Sequence, residues 1–288
     1  MPYKENTTTT KLPNTSEEGA VFGAADVAEE WQRRKAQRAK VNAFADEMML
    51  DLANLRAGSR VLDVAAGTGE QTIRAAQRVG PSGYVLATDV SASMLNLAAA
   101  AIRDAGLSNV ETRVMDAANI DLEADSFDAV ICRQGLMLFP ERDKALVGMR
   151  RVVKPGSRVV ALVWSSAEKN PYHWLPLAIA RRVGNIPSPG PEVPGMFTLG
   201  EPSILEALFR TAGFLEVFIQ VVPLRRRFGS VAEAVRGMQS PILEQLTAKL
   251  SDPEREQVQV EVEQEFNRFQ GPTGVEFPAE LLIAVGTK

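Results

Sequence analysis

Apolar and polar positions along this chain follow two rhythms that take turns. Short apolar runs of strand length cover 60–64, 84–89, 110–115, 127–132 and 157–164, and stretches with helical spacing separate them at 70–79, 93–105 and 143–153. A helix at 202–212 and strands at 214–222 and 281–285 complete the series. Short apolar strands alternating with amphipathic helices predict an α/β fold, a doubly wound and mostly parallel seven-stranded sheet with helices on both faces. Local signals agree: Ser91 or Ser93 can cap the helix at 93–105, Gly106 sits where it stops, and Pro155-Gly156 is a turn before the fifth strand.

The flanks break this rhythm. Residues 1–20 are rich in Thr, Asn, Lys and Glu and read as a mobile tail, leaving 21–288 as the folded domain. From Asp26 to about Leu55, Val27, Trp31, Val41, Phe44, Ala45, Met48, Met49 and Leu52 recur at roughly helical spacing, so one long N-terminal helix or two are expected. Trp31 and Phe44 are read as packing on the core. Residues 165–200 hold a helix candidate, Trp174–Val183, and a loop carrying Pro187, Pro189, Pro191 and Pro194. Residues 230–270 are charged and helix-rich. With the core at 56–164 and 201–288, the segments 165–200 and 230–270 are read as a helical cap over a pocket. Arg225-Arg226-Arg227 reads as a solvated strand edge.

Composition narrows the classes. The chain of 288 residues is 45% apolar, enough to bury one large core. Its net charge of −4 gives no reason to expect nucleic acid. One cysteine, Cys132, allows no intrachain disulfide and suits a reducing, cytoplasmic setting; it reads as a small packed hydrophobe. One histidine and one cysteine make a zinc site unexpected, so no metal is assigned. The N-terminus, with Thr7–Thr10 in a row, shows no signal peptide, and no apolar run approaches the ~20 residues of a membrane helix.

The chemistry concentrates in residues 61–69, Val-Leu-Asp-Val-Ala-Ala-Gly-Thr-Gly. A strand enters a loop with almost no side chains, a helix begins at Glu70, and the next strand ends on Asp89. This arrangement holds a nucleoside: the loop lets backbone approach the ligand, and the acid accepts ribose hydroxyls. A dinucleotide fits poorly. Its fingerprint wants glycine at three positions where this chain has Ala65, Gly67 and Glu70, and a glutamate at a helix start repels pyrophosphate. The Lys and Ser/Thr of a phosphate loop are missing too. Asp63, within the strand, suits an amino-acid ammonium. The pattern therefore points to a nucleoside joined to an amino acid, without phosphate.

Leu62–Gly69 resembles the first motif of class I S-adenosylmethionine-dependent methyltransferases. Thr88-Asp89-Val90-Ser91-Ala92-Ser93-Met94-Leu95, Met115-Asp116-Ala117, Phe127–Cys132 and Arg151–Ser157 resemble the later motifs, in the family's order. The nearest flavour is the ubiquinone/menaquinone-type small-molecule branch. The resemblance implies a Rossmann-like sheet, an N-terminal helix across the mouth of the cofactor site, and S-adenosyl-L-methionine as the cofactor. It places Asp89 on the ribose diol, Asp116 on the adenine amino group with Ala117 packed nearby, and Val90 and Met94 on the adenine faces. Asp63, Ala65, Gly67, Thr68 and Gly69 would surround the methionine part. Arg133 and Gln134, after the fourth strand, would touch cofactor or substrate.

The acceptor is harder to read. The family's amide and DNA-base methyltransferases commonly carry Asn-Pro-Pro-Tyr/Phe after the fourth strand, and this chain has Arg133-Gln134-Gly135-Leu136-Met137 there. Asn170-Pro171-Tyr172 is similar but follows the fifth strand and is discounted. A small, apolar or aromatic acceptor with a carbon, oxygen or nitrogen nucleophile is expected. His173, the single histidine, and Tyr172 are candidate general bases. The alternative is an enzyme that keeps the cofactor pocket but runs a cyclisation or rearrangement. A homo-oligomer is compatible with the sequence.

Overall fold

The computed structural model of the chain describes residues 35–190, 192–238 and 240–288. The tail at 1–20 and Val27 and Trp31 lie outside the described residues. Five parallel strands, β1 (Arg60–Val64), β2 (Tyr84–Asp89), β3 (Val110–Val114), β4 (Phe127–Arg133) and β5 (Val153–Trp164), are followed by β6 (Glu216–Phe228), the short β7 (Gln270–Gly271) and β8 (Gly274–Thr287). Their order is β3-β2-β1-β4-β5-β8-β6, with β7 pairing β8. β8 is antiparallel to both its neighbours.

The helices are α1 (Lys35–Leu52), α2 (Glu70–Val79), α3 (Ala92–Asp104), α4 (Arg142–Val152), α5 (Pro171–Val183), α6 (Pro202–Thr211), α7 (Val231–Gly237), α8 (Pro241–Ala248) and α9 (Asp252–Asn267). Their ends carry the expected chemistry. Ser91 caps α3, its hydroxyl accepting from the Met94 amide at 3.3 Å. Gly106 follows that helix at φ +68°, a conformation glycine adopts without a Cβ penalty. Ser251 and Glu254 form a capping box that starts α9.

β1, β2, β4 and β5 are buried along most of their length, as a sheet covered on both faces requires. The main core includes Val61, Leu62, Ile131, Val160, Ile283 and Phe209. A second apolar cluster lies against the far end of β6 and β8. Tyr172 and Leu177 from α5, Leu246 from α8, and Val262 and Phe266 from α9 pack there on Phe228 and Phe277. Parts of segments 165–200 and 230–270 thus share one apolar cluster with the far ends of β6 and β8.

Three expectations are corrected. β6 and β8 do not stop at 222 and start at 281; they continue as a paired ribbon in which Pro223–Phe228 faces Val275–Glu280. Side chains alternate across that ribbon. Arg225 and Arg227 point outward and clasp Glu276 at 2.7 and 2.5 Å, but Arg226 turns inward and is only 8% exposed. The arginine triplet is therefore not simply a solvated edge. Phe44 does not pack on the core; it is 61% exposed, and Ala45, Met49 and Leu50 supply the buried face of α1.

Candidate active site

The sheet order turns at β1, with β2 on one side and β4 on the other, and the carboxyl ends of these strands open a crevice where such sheets bind ligands. The two loops that form it meet closely. Ala65 after β1 and Gln134 after β4 both hold positive φ, 58° and 55°. A Cβ on Gly135 would come within 2.5 Å of the Ala65 Cβ, so only glycine fits between them. Above the crevice lies a cavity of about 680 Å³, within the usual range for small-molecule sites.

One end of the cavity is lined by Ala65, Gly67, Thr68, Asp89, Val90, Met94, Asp116 and Ala117. Asp89 is held firmly there. Its Oδ2 accepts from the Gly67 amide and its Oδ1 from the Ser91 amide, each at 2.9 Å. Burial pushes its carboxyl up, and these backbone N–H groups oppose the shift. Gly67 stands at φ 56° with nothing within 4 Å of where a Cβ would be, so the backbone there faces open space. Asp116 accepts from the Ala118 amide at 2.9 Å and from Asn119 Nδ2 at 3.1 Å, fixing its carboxylate on a single helical turn, Ala117–Asn119.

Arg133 and Gln134 also line the cavity. Arg133 is already committed: its Nε donates to Asp46 Oδ1 of α1 at 2.6 Å, with the side chains 5% and 1% exposed. Burial pushes the Asp46 carboxyl up, and the Arg133 charge opposes that. Gln134 is the opposite case, because its Nε2 is covered and has no hydrogen-bond partner. A buried orphan donor at a cavity wall is costly unless a ligand completes it.

Two residues expected at the ligand are placed elsewhere. Asp63 is fully buried, its carboxylate accepting from Thr72 Oγ1 at 2.5 Å and from Gln71 Nε2 at 3.2 Å. Burial pushes its carboxyl up to about 7. It braces α2 from behind the loop rather than lining the cavity. Gly69, at φ 82°, is an inter-element contact: a Cβ there would lie 3.0 Å from Ala98 Cβ on α3.

The catalytic candidates move further. Tyr172 is buried in the second apolar cluster and its hydroxyl donates to the Ala234 carbonyl at 3.2 Å. It does not reach the cavity and is corrected to a packing residue. His173 lies behind Trp164, ring centroids 4.7 Å apart, and it is Trp164 that lines the cavity. The residue is half-buried, and its Nε2 is covered and without a partner among the described residues. Burial, then the nearby Arg226 charge, hold its pKa well below the ordinary value. Asn170, from the discounted tripeptide, is structural. Its Nδ2 donates to the Ser166 and Glu280 carbonyls at 3.0 and 3.1 Å, and its Oδ1 accepts from the Glu280 amide at 3.0 Å.

The other end of the cavity was not named from the sequence. Met137, Leu138, Phe139 and Trp164 line it from the sheet side, and Met196 and Ile242 from segments 165–200 and 230–270. The run Leu-Met-Leu-Phe directly beyond the end of β4 was the available signal, since so apolar a loop at a ligand crevice needs a reason.

The fold is Rossmann-like, and comparison with known proteins relates it to S-adenosylmethionine-dependent methyltransferases. Residues 39–177 match the ubiE/COQ5 methyltransferase family. The ubiquinone/menaquinone biosynthesis C-methyltransferase UbiE of Pseudomonas aeruginosa is 38% identical over 122 residues, 42% of this chain and 48% of that protein. UbiE of Pasteurella multocida is 34% identical over 142 residues, 48% of this chain and 53% of that protein. The chain thus spans about half the length of the curated relatives it matches. Among solved structures, the YcgJ protein of Bacillus subtilis is similar with a TM-score of 0.59 at 20% identity, over 85% of this chain and 98% of that one. A phosphoethanolamine N-methyltransferase 2 of Haemonchus contortus is similar with a TM-score of 0.55 at 18% identity, over 85% of this chain and 52% of that one. At such identities these two likenesses concern the fold. S-adenosylmethionine as the cofactor agrees with the fixed acids, the open backbone at Gly67 and a helix start at Glu70 that disfavours phosphate. No helix among the described residues is long and apolar enough to cross a membrane.

Proposed function

We propose that this protein transfers a methyl group from S-adenosylmethionine to a small, largely apolar acceptor. The observation that carries the reading is one continuous cavity with two chemically different ends, acids and backbone at one and Met, Leu, Phe, Trp and Ile at the other. Bound S-adenosylmethionine supplies an electrophilic methyl on a sulfonium. The chain supplies position and dryness. Asp89 would take the ribose hydroxyls, Asp116 the adenine amino group, and Val90 and Met94 the adenine faces. Ala65, Gly67 and Thr68 would enclose the methionine part. Gln134 Nε2, at the junction of the two ends, would donate to a carboxylate or carbonyl oxygen. Met137, Phe139, Trp164, Met196 and Ile242 would hold the acceptor and exclude water, so that nucleophile, methyl and sulfur stand in line.

Segments 165–200 and 230–270 act in this reading as the cap that contributes Met196 and Ile242. With neither Tyr172 nor His173 lining the cavity, the acceptor would bring its own reactive nucleophile, such as an electron-rich aromatic carbon or an ionised oxygen. A cytoplasmic location is part of the proposal, resting on the single buried thiol. The test is calorimetry with S-adenosylhomocysteine on the intact protein and on Asp89→Ala. Binding by the first and not the second supports the reading; no binding by either sinks it. Formation of S-adenosylhomocysteine during turnover separates methyl transfer from a cyclisation or rearrangement in the same pocket.

A further inference from the structure

Arg226 is a buried cation with no anion paired to it among the described residues. It projects inward from the β6–β8 ribbon and is 8% exposed. No acid among the described residues pairs with it. Glu276, on the neighbouring strand, is taken by Arg225 and Arg227 on the opposite face, and Glu280 accepts from Ser165 Oγ at 2.7 Å. The Arg226 Nε is covered and has no hydrogen-bond partner. Among the described residues the guanidinium lies over two aromatic faces, the Tyr172 ring at 5.1 Å and the Trp164 ring at 5.9 Å. Contacts of that kind compensate a buried charge in part, whereas buried charges are normally paired.

His173 belongs to the same cluster. Its ring sits 4.7 Å from Trp164 and 5.2 Å from Tyr172, and its Nε2 is the second orphaned polar atom there. Two unpartnered nitrogen groups therefore share the same two aromatic rings. One of those rings, Trp164, is also a wall of the acceptor end of the cavity. Elsewhere that end is almost wholly apolar. Its carboxylate, Glu141, sits exposed and paired with Lys144.

We propose that Arg226 and His173 form a subsite for a carboxylate carried by the acceptor, reached from the cavity past the edge of Trp164. The guanidinium fork matches a carboxylate with two parallel hydrogen bonds, and the neighbouring imidazole offers a further polar contact. The acceptor class becomes an apolar or aromatic acid rather than a neutral apolar molecule. The proposal rests on the methyl-transfer reading for the word acceptor, but the binding site stands on its own geometry.

The experiment compares 3-phenylpropanoate with its uncharged analogue 3-phenylpropanamide, by calorimetry on the full chain, with and without S-adenosylhomocysteine. The wild type is expected to bind the acid about 10- to 100-fold more tightly than the amide. Arg226→Gln should lose that preference and leave S-adenosylhomocysteine affinity unchanged. Arg226→Lys, which keeps the charge and loses the fork, should retain part of it and covers the case in which the glutamine variant fails to fold. Equal affinities in the wild type, or no binding of either compound, overturn the subsite. An unchanged preference in both variants does the same. If Arg226 served packing alone, substitution would lower the melting temperature without any discrimination to lose. Failure of S-adenosylhomocysteine to bind would count against methyl transfer only, because the carboxylate preference is also read without it.

Discussion

The Arg133–Asp46 pair offers the sharpest test of how α1 is tied to the cofactor loop. The two side chains are 5% and 1% exposed and meet at 2.6 Å. Removing one partner of a buried pair leaves a charge with nothing to offset its desolvation, a cost of about 3–5 kcal/mol. Arg133→Met should therefore lower the melting temperature by about 6–10 °C, taking roughly 2 °C per kcal/mol for a chain of this size. The loss should shrink as pH falls. With the guanidinium gone, burial is less opposed at Asp46, whose folded pKa then lies further above the unfolded value. Its stability contribution is retained at low pH, where both states bind the proton, and lost as pH rises through the folded value. Asp46→Leu combined with Arg133→Met should cost less than the sum of the two single changes by about 3 kcal/mol. Thermal and urea melts of the four proteins, with circular dichroism as the probe, close the cycle. Additive losses would refute the pairing argument. S-adenosylhomocysteine titration of the double variant then shows whether α1 positions the loop through this pair.

Asp89→Ala should weaken S-adenosylhomocysteine binding by about 100-fold or more, since it removes hydrogen bonds to a charged group and frees the Gly67 amide; calorimetry reads it. Gly135→Ala should destabilise the protein and reduce cofactor affinity together, because its methyl would meet Ala65 at 2.5 Å; melts and calorimetry on one sample check both. Asp63 should make the apo protein lose stability as pH rises from about 4 to about 7. Over that range the folded state keeps the proton that the unfolded state has released, so the slope is negative and totals at most about 4 kcal/mol. Asp63→Asn should flatten that part of the profile in urea melts at successive pH values.

The sheet was legible because its signals are local. Strands of four or more buried residues, a Ser cap at 91 and a helix stop at Gly106 need no distant partner to be read. The ribbon was not, because Arg226 occupies an inward slot in a run that otherwise alternates, and three adjacent arginines look uniform until the register with β8 is known. Asp63 was read as a ligand group because nothing in β1 reveals its partners. The clue lay on α2, where Gln71 and Thr72 sit on the buried face among alanines. The end of the cavity lined by Asp89 and Asp116 was legible from strand-end acids. The apolar end comes from loops and from helices more than thirty residues away, and only the folded chain brings Trp164, Met196 and Ile242 together.

The continuous ladder between β6 and β8 has a mechanical consequence. Val222 and Leu281 belong to the main core, whereas Phe228 and Phe277 belong to the second cluster, and the same two strands carry both pairs. Any swing of the helical layer against the sheet would have to bend or break that ladder. If segments 165–200 and 230–270 roof the cavity as proposed, that roof is a cantilever rooted in the sheet, not a jaw on a hinge. Under the proposed function, selection among acceptors would fall to the contour of a standing hole, set by side chains such as Met196 and Ile242, and not to the energy of a domain closing around its guest.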